Sequence, residues 1–165
     1  MNDPTLWRLF EYSDWANTAV CEAAATLSDE QLDRPLEIGP KPGSLRRILL
    51  HILSGESVWL SRWKGNVENA WPNELVKTPV REIAQKLASI VDEQEAFLAT
   101  LHEGAMECMQ TYRDSKGSLF RATLRDMLLQ GLIHSAHHRA QAANAIRQVG
   151  GEPPELDLMY HFRAE

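Results

Sequence analysis

Residues 124–149, LRDMLLQGLIHSAHHRAQAANAIRQV, decide the fold because helical periodicity is strong along their whole length. Side chains of similar polarity recur at spacings of three and four residues, so two stripes of different polarity run along the segment. The first stripe is mainly apolar or small and contains Leu124, Met127, Gly131, His134, His138, Ala142, Ala145 and Val149. The second stripe is polar and contains Asp126, Gln130, His137, Gln141, Asn144 and Gln148. The pattern predicts an amphipathic helix whose first stripe faces a core.

Three earlier segments have the same periodicity and are bounded by residues that start or stop helices. Asp3 before Pro4 and Thr78 before Pro79 are each a cap residue followed by a proline suited to the first turn. We predict helices over residues 4–27, 44–64, 79–102 and, after a cap at Thr123, up to about 149. Four helices of about twenty residues can enclose one apolar core. The predicted fold is therefore all-α, a four-helix bundle forming a single domain over residues 1–165.

Shorter elements are predicted between and after these helices. Ser28 and Gln31 have the spacing of a capping box, which predicts one short helical turn. Alternating polar and apolar residues around the turn signal at 114–117 predict a small β-hairpin between helices three and four. The tail after Pro153 and Pro154 has enough apolar side chains to dock on the bundle.

Composition narrows the classes of function. The chain has 165 residues, 44% hydrophobic and 24% charged, which is typical of one globular domain. A formal net charge of -6 argues against a nucleic-acid partner, because such binding depends on Lys and Arg neutralising phosphates. The N-terminus has no basic start followed by an apolar run, so we expect no membrane anchor or secretory signal and a cytoplasmic location. Cys21 and Cys108 are too far apart in sequence to indicate a disulfide framework or a thiolate metal site.

The helical register separates the three histidines of the last helix. His134 and His138 are four residues apart on the stripe that faces the core, so their imidazoles can reach one ion. His137 lies on the polar stripe and is predicted to be exposed. Buried imidazoles need a partner, because an unsatisfied buried polar group costs roughly 1 to 3 kcal/mol. The register leaves two interpretations open, a hydrogen-bonded pair of core histidines or part of a metal site.

Four segments of the chain resemble the DinB superfamily of DinB/YfiT-like metal-binding bundles. They are Trp15-Ala16-Asn17, SLRRILLHILSGESVWLSRWKG around His51, LRDMLLQGLIHSAHHRAQ around His134, and the ending GGEPPELDLMYHFR. In this family one histidine of the second helix joins the H-x-x-x-H pair of the last helix in an open three-histidine site. The resemblance therefore implies His51, His134 and His138 as ligands of one divalent transition metal ion. Zinc is expected first, and nickel, manganese and iron also accept imidazole.

The resemblance also implies a class of function. Family activities include low-molecular-weight thiol S-transferases, thiol-dependent isomerases and hydrolases, and homodimers are frequent. We therefore expect a metal-dependent transferase or hydrolase acting on a small substrate, with a possible thiol cofactor and a role in stress response or detoxification. A water or thiolate on the ion is the expected nucleophile, and no other catalytic residue is assigned. The alternative is a non-catalytic, metal-stabilised dimeric interaction protein.

Several residues near these motifs have less specific predictions. Glu56 lies five residues after His51 and points about 140° away, so it is expected to support a ligand from behind or to form an interhelical ion pair. Arg62 and Arg139 are expected to be solvated, as arginines on helix faces usually are. The remaining candidates are expected either to line a pocket or to pack in the core, and they are Tyr12, Trp15 and Asn17.

Overall fold

Four long helices form the bundle. The computed structural model describes residues 3–38, 43–67, 77–102 and 104–163. The helices are α1 (Pro4–Ala25), α2 (Asp29–Asp33), α3 (Leu45–Trp63), α4 (Val80–Ala99), α5 (Leu124–Gln148) and α6 (Leu158–Phe162), and the strands are β1 (Met109–Arg113) and β2 (Leu119–Thr123). The four long helices are α1, α3, α4 and α5. The predicted helical bundle is confirmed, with helix ends within three residues of the predicted ones.

The helix starts follow the cap residues, with one exception. Asp3 accepts hydrogen bonds from the backbone N–H groups of Thr5 and Leu6, and Thr123 accepts one from Asp126. Ser28 and Gln31 form the predicted capping box of α2. Thr78 was expected to cap the third long helix, and this is wrong by one residue. Pro79 has ψ 143°, which is extended, so it takes the cap position itself and the helix begins at Val80.

The hairpin predicted between the last two long helices is confirmed. Strands β1 and β2 are antiparallel and pair from Met109 with Thr123 to Arg113 with Leu119. In the turn, Asp114 Oδ1 accepts hydrogen bonds from the backbone N–H groups of Lys116 and Ser118. Since Thr123 both ends β2 and caps α5, the hairpin is held at the N-terminal end of α5.

Close packing of α3 on α5 sets the position of the site. Gly131 of α5 lies under the Trp63 indole of α3, and a Cβ at Gly131 would be 2.7 Å from Trp63 Cζ2. The Trp63 Nε1–H donates to the carbonyl oxygen of Met127 at 3.0 Å. Any larger residue at position 131 would therefore push the two helices apart.

The C-terminal segment docks on α1, as predicted. The Tyr12 hydroxyl donates to the carbonyl oxygen of Leu156, and the Trp15 ring stacks on His161 with 5.0 Å between ring centroids. Tyr12 and Trp15 thus hold the tail. Among the described residues, no helix combines the length and the apolar character needed to span a bilayer.

Candidate metal centre

The structure brings together the three histidines that the resemblance selected. His51 projects from α3, and His134 and His138 project from α5. One ring nitrogen of each lies within 4.8 Å of the others, and all three residues are half-buried. Ring centroids are 4.4 Å apart for His51 and His138, 4.5 Å for His134 and His138, and 5.3 Å for His51 and His134. His137 is exposed and lies outside the cluster, as the register predicted.

Gly55 makes room for one of these rings. It follows His51 by one helical turn, and His134 packs directly against its backbone. A Cβ at position 55 would lie 2.5 Å from His134 Cε1 and 2.7 Å from Nδ1, which is closer than atoms can approach. Sequence reasoning missed this residue, although a glycine four residues after a candidate ligand on the same face was the signal available.

Gln141 fixes the orientation of His138. The Gln141 side-chain oxygen lies 2.8 Å from His138 Nδ1, and its Nε2 lies 3.1 Å from His137 Nε2. The amide oxygen can only accept, so His138 Nδ1 carries the proton and its Nε2 keeps the lone pair. Such a partner behind a ligand histidine fixes its tautomer and raises its basicity. Gln141 was assigned to the polar stripe, so periodicity alone gave no indication of this contact.

Burial favours the neutral form of two histidines of the cluster, His134 and His138. Burial lowers the pKa of His134 from 6.5 to about 4, with smaller contributions from the neighbouring histidines and from Arg62. Burial also lowers the pKa of His138, against the opposing effect of its hydrogen bond to Gln141. Deprotonated imidazoles are the form that binds a metal ion. At neutral pH these two side chains need release no proton to do so.

A cleft leads from the histidines toward the hairpin. It has a volume of about 400 Å³ and is bounded by α3, α5 and the hairpin. His134 is the one histidine of the cluster among its lining residues, which also include Trp59, Arg62 and Tyr112. The size is that of a pocket for a small ligand. One histidine of the cluster is therefore in contact with a space that a substrate could enter.

Glu56 does not support a ligand histidine, which corrects the first of its two expectations. Its carboxylate is buried and accepts hydrogen bonds from Asn17 Nδ2 at 3.3 Å, Gln94 Nε2 at 2.6 Å and Ser135 Oγ at 2.6 Å. These donors come from α1, α4 and α5, so one carboxylate joins all four long helices. Asn17 belongs to this buried network, so of its two expected roles, lining a pocket or packing in the core, it has the second.

Arg139 is buried rather than solvated, which is a second correction. Only 2% of it is exposed, and its Nη1 donates to Ser13 Oγ at 2.8 Å and to Asn17 Oδ1 at 3.0 Å. Burial lowers its pKa, and the charge of Glu56 opposes that shift. Asn17 therefore bridges the positive and negative members of one network. Arg62 is also buried, at 5% exposure. Helical periodicity could not predict either burial, because both depend on what the neighbouring helices present.

Comparison with known proteins supports the fold. The family model described as DinB family matches residues 1–165. A crystal structure of a DinB-like protein from Bacillus cereus ATCC 10987 is similar to this structure with a TM-score of 0.72 and 22% identity, over 91% of this chain and 94% of that chain. No curated protein sequence matches the chain. At this level of identity the likeness shows the fold and does not extend to activity.

Proposed function

Because the chain belongs to the DinB family, we propose that it is a divalent-metal-dependent enzyme acting on a small substrate. His51, His134 and His138 hold the ion, with zinc the first expectation and nickel, manganese and iron the alternatives. The reaction is thiol transfer from a low-molecular-weight thiol to an electrophile, or hydrolysis, with a role in stress response or detoxification. The observation that carries the proposal is the approach of three ring nitrogens to within 4.8 Å of one another.

The side chains present fit such an ion. Three neutral nitrogens suit zinc, which binds histidine at about 2.0–2.1 Å in four-coordinate sites that retain an open position when they are catalytic. Gly55 admits the His134 ring, and Gln141 leaves the Nε2 lone pair of His138 available. When bound, the ion would supply Lewis acidity, which favours the deprotonated form of a thiol or water at neutral pH.

The cleft favours catalysis over a purely structural role. A structural site is normally closed by four protein ligands, whereas a catalytic site has three and stays open to a substrate. Here a space of about 400 Å³ is lined in part by His134. Trp59 and Tyr112 line it with aromatic rings and so reduce the access of water around a bound substrate. The non-catalytic alternative requires that no substrate use this space.

Metal analysis tests whether the protein binds an ion through these histidines. Protein purified without a histidine tag is expected to contain about one equivalent of metal per chain, because a preformed site of this kind binds tightly. His138→Ala is expected to lose it, and the exposed neighbour variant His137→Ala is the matched control that retains it. Wild-type protein with only a small fraction of an equivalent, after reconstitution with zinc or nickel, would overturn the proposal.

Turnover assays test whether the metal-loaded protein is an enzyme. The metal-loaded protein is assayed with cysteine and glutathione against a chromogenic chloronitrobenzene, and separately with a chromogenic ester. We expect one of the two reactions to depend on the metal and to be lost in His138→Ala. Full metal occupancy without either activity would favour the non-catalytic alternative.

Homodimerisation stays a prediction. Ile133, Ala136 and Ala140 form an exposed strip along α5, and the small side chains of the two alanines beside the apolar Ile133 suit close packing against another helix. Sedimentation velocity of the metal-loaded protein checks it, and a single monomeric species at micromolar concentration would contradict it.

A further inference from the structure

Arg62 is a buried cation that forms no ion pair with a carboxylate in the described part of the chain, and Asp114 acts on it only through its charge. It is 5% exposed, and among the described residues its one side-chain hydrogen bond runs from Nη2 to the carbonyl oxygen of Arg113 at 2.6 Å. In the part of the chain that the structure describes, Nε is buried without a hydrogen-bond partner. Burial accordingly lowers the pKa of Arg62. The buried charge of Arg139, by contrast, is stabilised by a hydrogen bond to Asn17 and by the charge of Glu56.

Desolvating an arginine in this way is unfavourable unless something offsets it. Charged side chains are rarely buried unless they are paired, because the desolvation penalty is several kcal/mol for each ion. The Trp59 and Tyr112 rings lie 4.6 Å and 5.0 Å from the guanidinium carbon, and cation–π attraction recovers part of that penalty. It does not satisfy the Nε–H. A buried charge of this kind beside a cleft indicates a functional role.

The position of Arg62 connects it to the histidines. It lies eleven residues after His51 on α3, which returns it to within about 20° of the same helix direction and about 16 Å along the axis. Arg62 and His134 line the same cleft of about 400 Å³. The charge of Arg62 is also one of the contributions that lower the pKa of His134. A small molecule in the cleft would therefore meet the guanidinium and His134 together.

The other lining groups limit the charge of such a molecule. Asp114 and Asp126 also line the cleft. Both carboxylates are held by local hydrogen bonds, Asp114 from the hairpin turn and Asp126 from the Thr123 hydroxyl at 2.7 Å. Asp114 acts on Arg62 through its charge but forms no ion pair with it among the described residues, and both carboxylates disfavour a ligand with several negative charges. The aromatic rings beside the guanidinium suit an apolar or planar body.

We infer that Arg62 positions the substrate by binding a carboxylate at the hairpin end of the cleft, while the reacting end of the same molecule points toward His134. This inference rests on the proposed function. It makes the substrate a small monocarboxylic acid with an apolar or planar body. A planar carboxylate matches the donor geometry of a guanidinium better than a single ammonium does.

Binding of simple probes tests the inference. Benzoate, its neutral analogue benzamide, and phenyl phosphate are titrated calorimetrically into the metal-containing protein. We expect benzoate to bind best and Arg62→Gln to weaken benzoate by about tenfold while leaving benzamide unchanged. Arg62→Lys should recover part of the loss, because it restores the charge without the fork of donors. A purely structural role for Arg62 would instead alter thermal stability and leave the preference for benzoate over benzamide intact.

A second variant covers the case in which Arg62→Gln does not fold. Asp114→Asn keeps the acceptor oxygen used by the hairpin turn and removes a negative charge from the cleft. It should strengthen benzoate binding about two- to threefold and phenyl phosphate binding more than that. Equal affinity for benzoate and benzamide in the wild type, or unchanged benzoate affinity in both variants, would overturn the inference.

The same titration in His138→Ala separates this inference from the proposed function. If Arg62-dependent benzoate binding persists there, the carboxylate is held by the arginine and not by the ion, which supports the inference. If benzoate binding is lost in His138→Ala and unaffected in Arg62→Gln, the ion alone holds it and the inference fails. Failure of turnover with intact Arg62-dependent binding would count against the proposed function only.

Discussion

Two polar clusters lie between α3 and α5, and they differ in how their polar groups are satisfied. The histidine cluster contains His51, His134 and His138 and borders an open cleft. The carboxylate network contains Glu56 with Asn17, Gln94, Ser135 and Arg139 and is buried. Glu56 follows Gly55, and Ser135 follows His134, so neighbouring residues serve the two clusters from different sides of the same helices.

The difference indicates which cluster maintains the fold and which is available for binding. Glu56 has three donors from three other helices, and the charge of Arg139 is balanced through Asn17. A buried network with all members satisfied specifies one arrangement of the helices. Burial instead lowers the pKa of His134 and of His138, and neutral imidazoles at this spacing are suited to an ion. The comparison predicts that mutations in one cluster change stability and mutations in the other change metal binding.

The largest effect is expected from Glu56→Ala. Removing the carboxylate leaves three buried donors without an acceptor and Arg139 without a compensating charge. Breaking such a buried charged network typically costs about 3–5 kcal/mol. Urea denaturation of the metal-free protein measures it, and Glu22→Ala, at an exposed position of α1, is the control with an expected effect within about 0.5 kcal/mol. A loss below about 1 kcal/mol, which is close to the effect of an ordinary surface substitution, would contradict the structural role.

The next largest effect is expected from Gly55→Ala, which should lower the affinity of the protein for the metal. The new Cβ would lie 2.5 Å from His134 Cε1, so the ring must move away from its present position. We expect metal affinity to fall by about 100-fold, since misplaced ligands lose coordination geometry. The helix itself should tolerate alanine, which is a better helix former than glycine. Competition with a chromogenic chelator measures the affinity, and Ser57→Ala, exposed on the same helix, is the control. Unchanged affinity would show that His134 is not a ligand.

Gln141→Ala is expected to lower the affinity for the metal by a smaller factor. The variant removes the partner of His138 Nδ1 but leaves every ligand in place. Loss of such a supporting hydrogen bond typically weakens metal binding by about tenfold. The same chelator competition measures it, with Asn144→Ala on the exposed side of α5 as the control. Gln141→Glu should bind at least as tightly as the wild type, because a carboxylate is a stronger acceptor for that N–H. Equal weakening by Ala and Glu would rule out the orienting role.

Patterns within one helix were sufficient to predict much of the fold. Periodicity and caps located the long helices and the hairpin, and the register placed His137 outside the cluster, because these features depend on local spacing. His51 came from the family resemblance, since no spacing within one helix links it to α5. The sequence alone could identify residue types with the right chemistry but not their partners.

Features that depend on packing between helices escaped prediction. Glu56, Arg62 and Arg139 were assigned to solvated or supporting positions, yet all three are buried. Their burial depends on donors and rings from α1, α4 and the hairpin, which no periodicity within α3 or α5 reports. Gly55 escaped prediction for the same reason, because the ring that packs against it, His134, belongs to another helix. The register and the resemblance together therefore identified the three clustered histidines, but not the groups that shape and support the cluster.

A gradual effect is expected from pH in the metal-free protein, where no ion is bound to the histidine cluster. Burial holds the pKa of His134 at about 4 in the folded protein, against 6.5 for an unperturbed histidine. Between these values the unfolded chain binds a proton at this position that the folded chain does not, so the free energy of unfolding decreases as the pH falls from 6.5 to about 4. Above 6.5 neither state is protonated there, and this contribution disappears.

The comparison that isolates His134 is between the metal-free wild type and His134→Asn. Urea unfolding of both at several pH values should give curves that are parallel above pH 6.5 and converge or cross below it, because only the wild type loses stability through this histidine. Other groups titrate in both proteins and cancel in the difference. Curves that stay parallel down to pH 4 would mean that the His134 ring is already hydrated in the metal-free protein, and that its neutrality depends on the ion rather than on burial.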